Sequence, residues 1–450
     1  MDMNLRFHYE KEKGDVFIQR IAIPWQVTMY SKKVFKLFSE MMSMDNAHRP
    51  ILNLDATGGI GGKYGAASSK SQNLFFALVF SRANNVYLPE QLALLPVAYF
   101  LTSNTKAMEL HKDFLIQIYM ECHICPPLAI TIDGSMALLH AVILSFNKVT
   151  LEQYLDMAFL DLKKGTKTIQ TYVVFCHTHM LKAAEVFLSE KEGKCSFKVK
   201  KVAIAAFALL LDSQSYGDAM NTFSLIVQVF ACKFTIYESR SQLLSKIQNK
   251  YVDSHYPEDY ETTKPKENGT YYEKTLFGRA AGKLYKSTVA NLSSHGDENE
   301  LFMPKFVDYI RKLKMPLLHI LCGGIMLKAN GIATKRQLEG ATRISNNAVE
   351  SHFNFLKNNL LGNVRTKKTG IICEKLKEHC KETIGAWQTT LKYPMAGKPR
   401  ARSNGPAKGD TLHFARETFK KPKVPANYHS PYKLSKTDFN LTKNCGTQHE

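Results

Sequence analysis

The chain has 450 residues, 44% of them hydrophobic, enough for roughly two or three domains with sizeable cores. Sixty Lys and Arg against forty Asp and Glu leave a formal net charge of +20 and a pI near 9.4, which points to a polyanionic partner such as nucleic acid, with an acidic membrane surface as the alternative. The longest apolar run, VAIAAFALLL, is too short to span a bilayer, the charged start MDMNLRFHYEKEKGD excludes a secretory signal, and nine irregularly spaced cysteines argue against a disulfide framework, so an intracellular protein with reduced thiols is expected.

In chain order, residues 1–48 form an N-terminal helical segment in which VTMYSKKVFKLFSEMM reads as one amphipathic helix, with no Cys/His pattern that could fold around zinc. A DNA-reading zinc finger, if the protein has one, is expected outside this chain. From about residue 49 the apolar runs shorten to strand length: ILNLDATG, NLFFALVFSR and LPVAYFLTS, separated by polar and glycine-containing connections as in an antiparallel meander. Helix TKAMELHKDFLIQIYMEC, strand PLAITID, helices GSMALLHAVILSF and TLEQYLDMAFLDL, strand TYVVFC and helix HTHMLKAAEVFLSE follow. Strands alternating with helices imply parallel neighbours, so the fold class expected for 49–190 is α/β, three antiparallel strands followed by two parallel ones.

Over 191–335 the strand signals fade and an all-α insertion is expected, interrupted by the polar stretch SHYPEDYETTKPKENGTYYEK, read as a loop. MPKFVDYIRKLKMPLLHILCGGIML reads as a helix within it. The segment 336–372 carries a last strong helix, NNAVESHFNFLKNNLLG, and 373–450 is read as a basic, largely disordered tail. Its part from residue 392 onward holds twelve Lys or Arg against four Asp or Glu, and its clusters KPRAR and KKPK fit either nuclear import or phosphate binding.

Three acids stand out. Asp55 and Asp133 each close an apolar strand and precede a small residue that lets the chain turn away. If the first and fourth strands lie side by side, the two carboxylates become neighbours that repel unless a cation holds them, and Mg²⁺ or Mn²⁺ suits such an oxygen-rich site. The bland alternative is that each aspartate caps the turn or helix after it. Glu350 sits on the shoulder of the stripe Val349, Phe353, Leu356 and Leu360, but Asn347 as N-cap with Glu350 three residues later is also a capping-box pattern.

Two further patterns are weighed and set aside. Cys122, Cys125, Cys176 and His179 have the residue types of a Cys₃His zinc site, but the ends of parallel strands that carry them lie roughly 20 Å apart. The glycines of GGIGGKYG fail the Walker spacing, since Thr57 and Tyr64 stand where Gly and Ser or Thr are required, and they read instead as a hairpin turn.

Taken together, LDATGG ending one strand, TIDGS ending another before ALLHAVI, Cys-x-x-His after the fifth strand, a long helical insertion and a helix beginning SNNAVESHFNFLK resemble the DDE transposases of eukaryotic cut-and-paste elements, the Mutator-like and hAT-like groups above all. The resemblance covers about residues 50–365 and implies an RNase H-like catalytic domain interrupted by helices. It also implies Asp55, Asp133 and Glu350 as catalytic, metal-binding acids, Cys176 and His179 as residues close to the scissile DNA, and two Mg²⁺ or Mn²⁺ ions as cofactor. The implied partners are double-stranded DNA, as transposon ends and target, and further copies of the chain; no membrane is implied, and the location is nuclear. The alternatives are a truncated or domesticated transposase-derived DNA-binding protein without turnover, and an RNase H-like nuclease acting on RNA–DNA hybrids.

Overall fold

Seven short runs rich in β-branched and aromatic residues assemble into one mixed sheet in the computed structural model, which describes residues 16–22, 25–43, 50–58, 60, 74–81, 94–103, 106–123, 126–191, 196–251, 272–292, 294–325, 346–362 and 369–392. The strands are β1 (Ile18–Ala22), β2 (Gln26–Tyr30), β3 (Ile51–Gly58), β4 (Leu74–Ser81), β5 (Leu94–Thr102), β6 (Ala129–Ile132) and β7 (Tyr172–Phe175). Their spatial order is β1-β2-β5-β4-β3-β6-β7. The meander β3, β4, β5 is antiparallel, and β6 and β7 run parallel to β3 on its other side. The five strands expected from the apolar runs are thus present in an α/β fold.

Two strands were not expected. β1 and β2 form a hairpin that extends the sheet beyond β5, with Val27 opposite Leu101 and Met29 opposite Tyr99. The stretch read as a single helix from Val27 onward therefore divides into β2 and helix α1 (Lys32–Ser43), with Ser31 Oγ accepting a hydrogen bond from Lys33 N at the junction. Val27, Thr28 and Tyr30 favour the pleated state, and the partner that makes it pay lies on β5, some seventy residues downstream.

Continuous burial along β4, from Phe75 to Phe80, means that both of its faces are covered, and each large apolar side chain removed from water contributes about 1.5–3 kcal/mol. Adjacent residues on β5 show which helices cover them. Phe100 stacks on Phe114 of helix α2, which runs through Ala107–Leu110, a π-turn at His111–Leu115 and Ile116–Cys122. Tyr99 stacks on and hydrogen-bonds His352 of helix α12 (Asn347–Phe355), so α2 and α12 lie on opposite faces.

The intervening helices are α3 (Met136–Asn147), α4 (Leu151–Lys164), α5 (His177–Lys191), α6 (Phe197–Leu211), α7 (Tyr216–Ala231), α8 (Tyr237–Tyr251), α9 (Leu276–Ala290), α10 (Pro304–Tyr309) and α11 (Leu318–Leu321). Helix α4 opens with a capping box between Thr150 and Gln153 and closes on Gly165 in the left-handed conformation. Between Phe197 and Ile325 the described elements are helices and turns apart from an isolated bridge, Phe234 to Glu298. The single helix expected from Met303 onward is broken: α10 passes into a π-turn (Ile310–Lys314), a 3₁₀ turn (Met315–Leu317) and then α11, because Pro316 has no N–H to continue the ladder. Helix α11 packs on β7, and His177 at the start of α5 hydrogen-bonds Leu321 O at 3.0 Å, tying this helical block to the sheet.

Residues 373–392, expected within a basic tail, are helical. Helix α13 (Thr369–Lys392) crosses the expected boundary and packs on β5 and α1. Its buried Ile372, Leu376, Cys380, Ile384 and Trp387 form one stripe; Trp387 meets Phe80 edge-on and donates Nε1–H to Leu94 O. The glycine turn after Gly58, most of the polar stretch before Tyr272 and the chain beyond Lys392 lie outside the described residues. Among the described residues no helix is long and apolar enough to cross a membrane.

Candidate metal centre

The parallel ladder between β3 and β6 ends at Leu54 opposite Ile132, so Asp55 and Asp133 are the next residues on adjacent strands. Here the sheet forks. β3 continues in antiparallel pairing with β4 as far as Gly58, which places Asp55 within its strand rather than at the end expected from the sequence, whereas β6 stops and the chain turns away after Asp133. Such a crevice beyond the carboxyl ends of parallel strands is where open α/β sheets place their sites. The turn brings Gly134 close to α5: a Cβ there would lie 2.7 Å from Met180 Cε.

Neither aspartate is a helix N-cap, but Asp133 does bond the turn that follows it, as the bland alternative expects. Ser135 is the N-cap of α3, accepting from Leu138 N at 3.4 Å, and its own N–H donates to Asp133 Oδ1 at 2.9 Å, which orients that carboxylate. Asp55 Oδ1 accepts from Ala56 N at 2.7 Å.

Helix α12 brings the third acid. The expected capping box is absent: the N-cap is Asn346, without a side-chain cap bond, and Asn347 is the first helical residue. Asn346 is instead fully buried and acts as a tether, its Nδ2 donating to Leu54 O at 3.2 Å and its backbone N–H to Cys176 Sγ at 3.3 Å. One residue thereby holds the start of α12 to β3, where its parallel ladder ends, and to the residue that follows β7. Further along, Lys357 Nζ donates to Thr57 Oγ1 at 2.6 Å. With the helix so held, Glu350 is released from capping and points to the fork.

Asp55, Glu350 and His179 each offer one ligand atom, and the three atoms lie within 4.8 Å of one another. His179 Nε2 stands 3.6 Å from Glu350 Oε1. Asp133 adjoins this group and repels Asp55 electrostatically. Cys176, expected close to DNA, is fully buried with its thiol engaged by Asn346; His179, expected in the same role, lies in the carboxylate group itself. The resemblance implied His179 only as a residue close to DNA and not as one of the metal-binding group; the turn at Cys176 and the first turn of α5 bring it among the acids. Cys125 of the rejected zinc pattern lies outside the described residues.

Burial raises the pKa of all three carboxyls. For Asp55, burial comes first and the charge of Asp133 second, with His179 opposing; for Asp133, burial prevails over the Ser135 N–H and His179. For Glu350, burial prevails over His179 and Lys182. Burial also raises the Cys176 thiol, leaving it protonated and inert at neutral pH.

The donor set fits a divalent cation. Two carboxyls and an imidazole, those of Asp55, Glu350 and His179, converge on one point with Asp133 beside Asp55, and Glu350 Oε2 and His179 Nδ1 are buried with no hydrogen-bond partner among the described residues. Such orphaned atoms are costly unless something compensates them. No protein-family model matches this sequence, and no curated protein is similar to it.

Proposed function

We propose that this chain is the catalytic core of a DDE-type DNA transposase that hydrolyses and joins phosphodiester bonds with Mg²⁺ or Mn²⁺. The observation that carries the reading is the meeting of Asp55, from a central strand, with Glu350, from a helix near the other end of the described chain, beside Asp133 at the sheet fork. Two supports stand with it. The strand order β5-β4-β3-β6-β7, with its antiparallel meander and parallel pair, is the arrangement expected of an RNase H-like domain. The helices from Phe197 to Ile325 interrupt that domain between Asp133 and Glu350, as the resemblance implies.

In this reading Asp55, Asp133 and Glu350 hold the cations. Bound ions would activate a water or 3′-hydroxyl and stabilise the leaving oxygen at phosphorus. Lys182 on α5 and Lys357, in the turn just past α12, would draw the phosphate backbone towards the fork, and the net charge of +20 makes that attraction salt-dependent. Partners are double-stranded DNA and further copies of the chain, and the location is nuclear.

A nicking assay on supercoiled plasmid tests the proposal. Metal-dependent nicking that Asp55→Asn abolishes, with salt-sensitive DNA binding nearly unchanged, supports it. Binding without nicking under either metal would favour a transposase-derived binding protein, and preferential cleavage of an RNA–DNA hybrid over duplex DNA would favour a nuclease.

A further inference from the structure

His179 is the one member of the cluster that the three-acid reading leaves without a metal-binding role. We propose that it is a metal ligand, and that the Asp55, His179, Glu350 group takes a divalent transition ion, with Mn²⁺ as the probe, in preference to Mg²⁺. The inference rests on the metal-dependent reading above and assigns the chemistry of one of its ion sites.

Geometry is the first support. The 3.6 Å between His179 Nε2 and Glu350 Oε1 is too long for a hydrogen bond, although the pair is buried well enough to form one. It falls at the upper end of the edge of a coordination polyhedron: two donor atoms each about 2.0–2.2 Å from a shared ion, at angles between octahedral and tetrahedral, lie roughly 2.8–3.6 Å apart. The 4.8 Å limit on all three donor atoms is compatible with the same ion.

An orphaned carboxylate oxygen is the second support. Glu350 Oε2 is buried with no hydrogen-bond partner among the described residues, beside the Oε1 that faces His179 Nε2, and an ion shared with that imidazole would satisfy it. An imidazolium paired directly with a carboxylate would close that gap to a charge-assisted hydrogen bond near 2.8 Å. Donors held apart around a common centre would not.

Donor chemistry sets the preference. Mg²⁺ demands octahedral oxygen coordination and gives up water reluctantly, so an imidazole is a poor ligand for it. Transition ions accept imidazole and carboxylate together. Asp133, outside the three-atom group and next to Asp55, leaves an all-oxygen pair for a second, harder ion. The fork would then hold two ion sites of unequal selectivity.

The test uses the full chain stripped of metal, with Mn²⁺ binding followed by loss of the free aqueous Mn²⁺ electron paramagnetic resonance signal. Pulsed measurements on the bound ion read coupling to ¹⁴N. Expected are one imidazole ¹⁴N coupling in the wild type, displacement of Mn²⁺ only by a large excess of Mg²⁺, and a loss of Mn²⁺ affinity of at least about tenfold in His179→Ala with Mg²⁺ affinity little changed. Bound Mn²⁺ without ¹⁴N coupling, and with unchanged affinity in His179→Ala, would overturn the inference while leaving the three-acid reading standing. A folded wild type that binds no Mn²⁺ would overturn both. The ¹⁴N coupling is read on the wild type, so the result does not depend on the variant folding.

Discussion

Replacing Asp55 by Asn should stabilise the metal-free protein while removing its response to metal. Asp55 and Glu350 offer oxygens within 4.8 Å, and two like charges at that separation repel by about 3 kcal/mol at an effective dielectric near 20. Asp133 adds to this repulsion and His179 opposes it, so relief of about 2 kcal/mol is a fair expectation at pH 8. Asn keeps an Oδ1 that can accept from Ala56 N, so the local turn survives. The sign with pH follows from the raised carboxyls: the native state holds protons that the unfolded chain releases above about pH 4, so metal-free stability falls as pH rises through the folded values. The advantage of Asp55→Asn over wild type should therefore grow with pH. Thermal unfolding in chelator reads it as a midpoint roughly 2–6 °C higher in the variant. Wild type should gain about 2.7 kcal/mol at a hundredfold excess of Mn²⁺ over its dissociation constant, and the variant nothing comparable. A variant that melts below wild type in chelator, or that still responds to Mn²⁺, would refute the argument, because Asp55 would then be a structural acceptor rather than a strained ligand.

Three further outcomes are expected. Asn346→Ala removes the bond to Leu54 O and should cost about 1–2 kcal/mol in urea unfolding; it should also weaken Mn²⁺ binding, and unchanged affinity would mean that packing alone places Glu350. His319 is buried against Phe277 and Tyr154 with neither ring nitrogen bonded among the described residues, and burial lowers its pKa to about 3. Its folded value lies below the unfolded one, so stability is full above about pH 6.5 and is lost as pH falls towards 3; His319→Phe should be more stable than wild type by about 2 kcal/mol at pH 5 and no less stable at pH 8. Equal pH profiles for the two proteins would contradict this. Trp387→Ala should cost about 3–5 kcal/mol in chemical denaturation, since α13 buries that ring against Phe80; a loss below about 1 kcal/mol would detach α13 from the core.

Some of what went unread in the sequence was present there. The stripe Ile372, Leu376, Cys380, Ile384 and Trp387 repeats at helical spacing, and only the lysines between its members made the segment resemble a solvated tail. The hairpin of β1 and β2 is different. IQRIA carries an arginine, and VTMY runs into KKVFKLF with no Gly or Pro between, so the helical period extends over both. Their strand state comes from pairing with each other and with β5, which no local window contains.

By itself the sequence determined the α/β class, the five central strands and the carboxylates worth watching, because strand length, apolar continuity and helical period are local properties that each segment carries with it. It could not decide what Glu350 does, since a capping box and a metal ligand share the same spacing. The capping half of that question was decided at Asn346, the N-cap, which puts its side chain on Leu54 O of a distant strand, while Glu350 lies beside His179 and Asp55. Nor could spacing place His179 among the acids, because that position depends on β7 lying beside β6 and on α5 starting immediately after it. Contacts between segments far apart in the chain exist only once the sheet register is set, and at this centre the register decided which side chains meet.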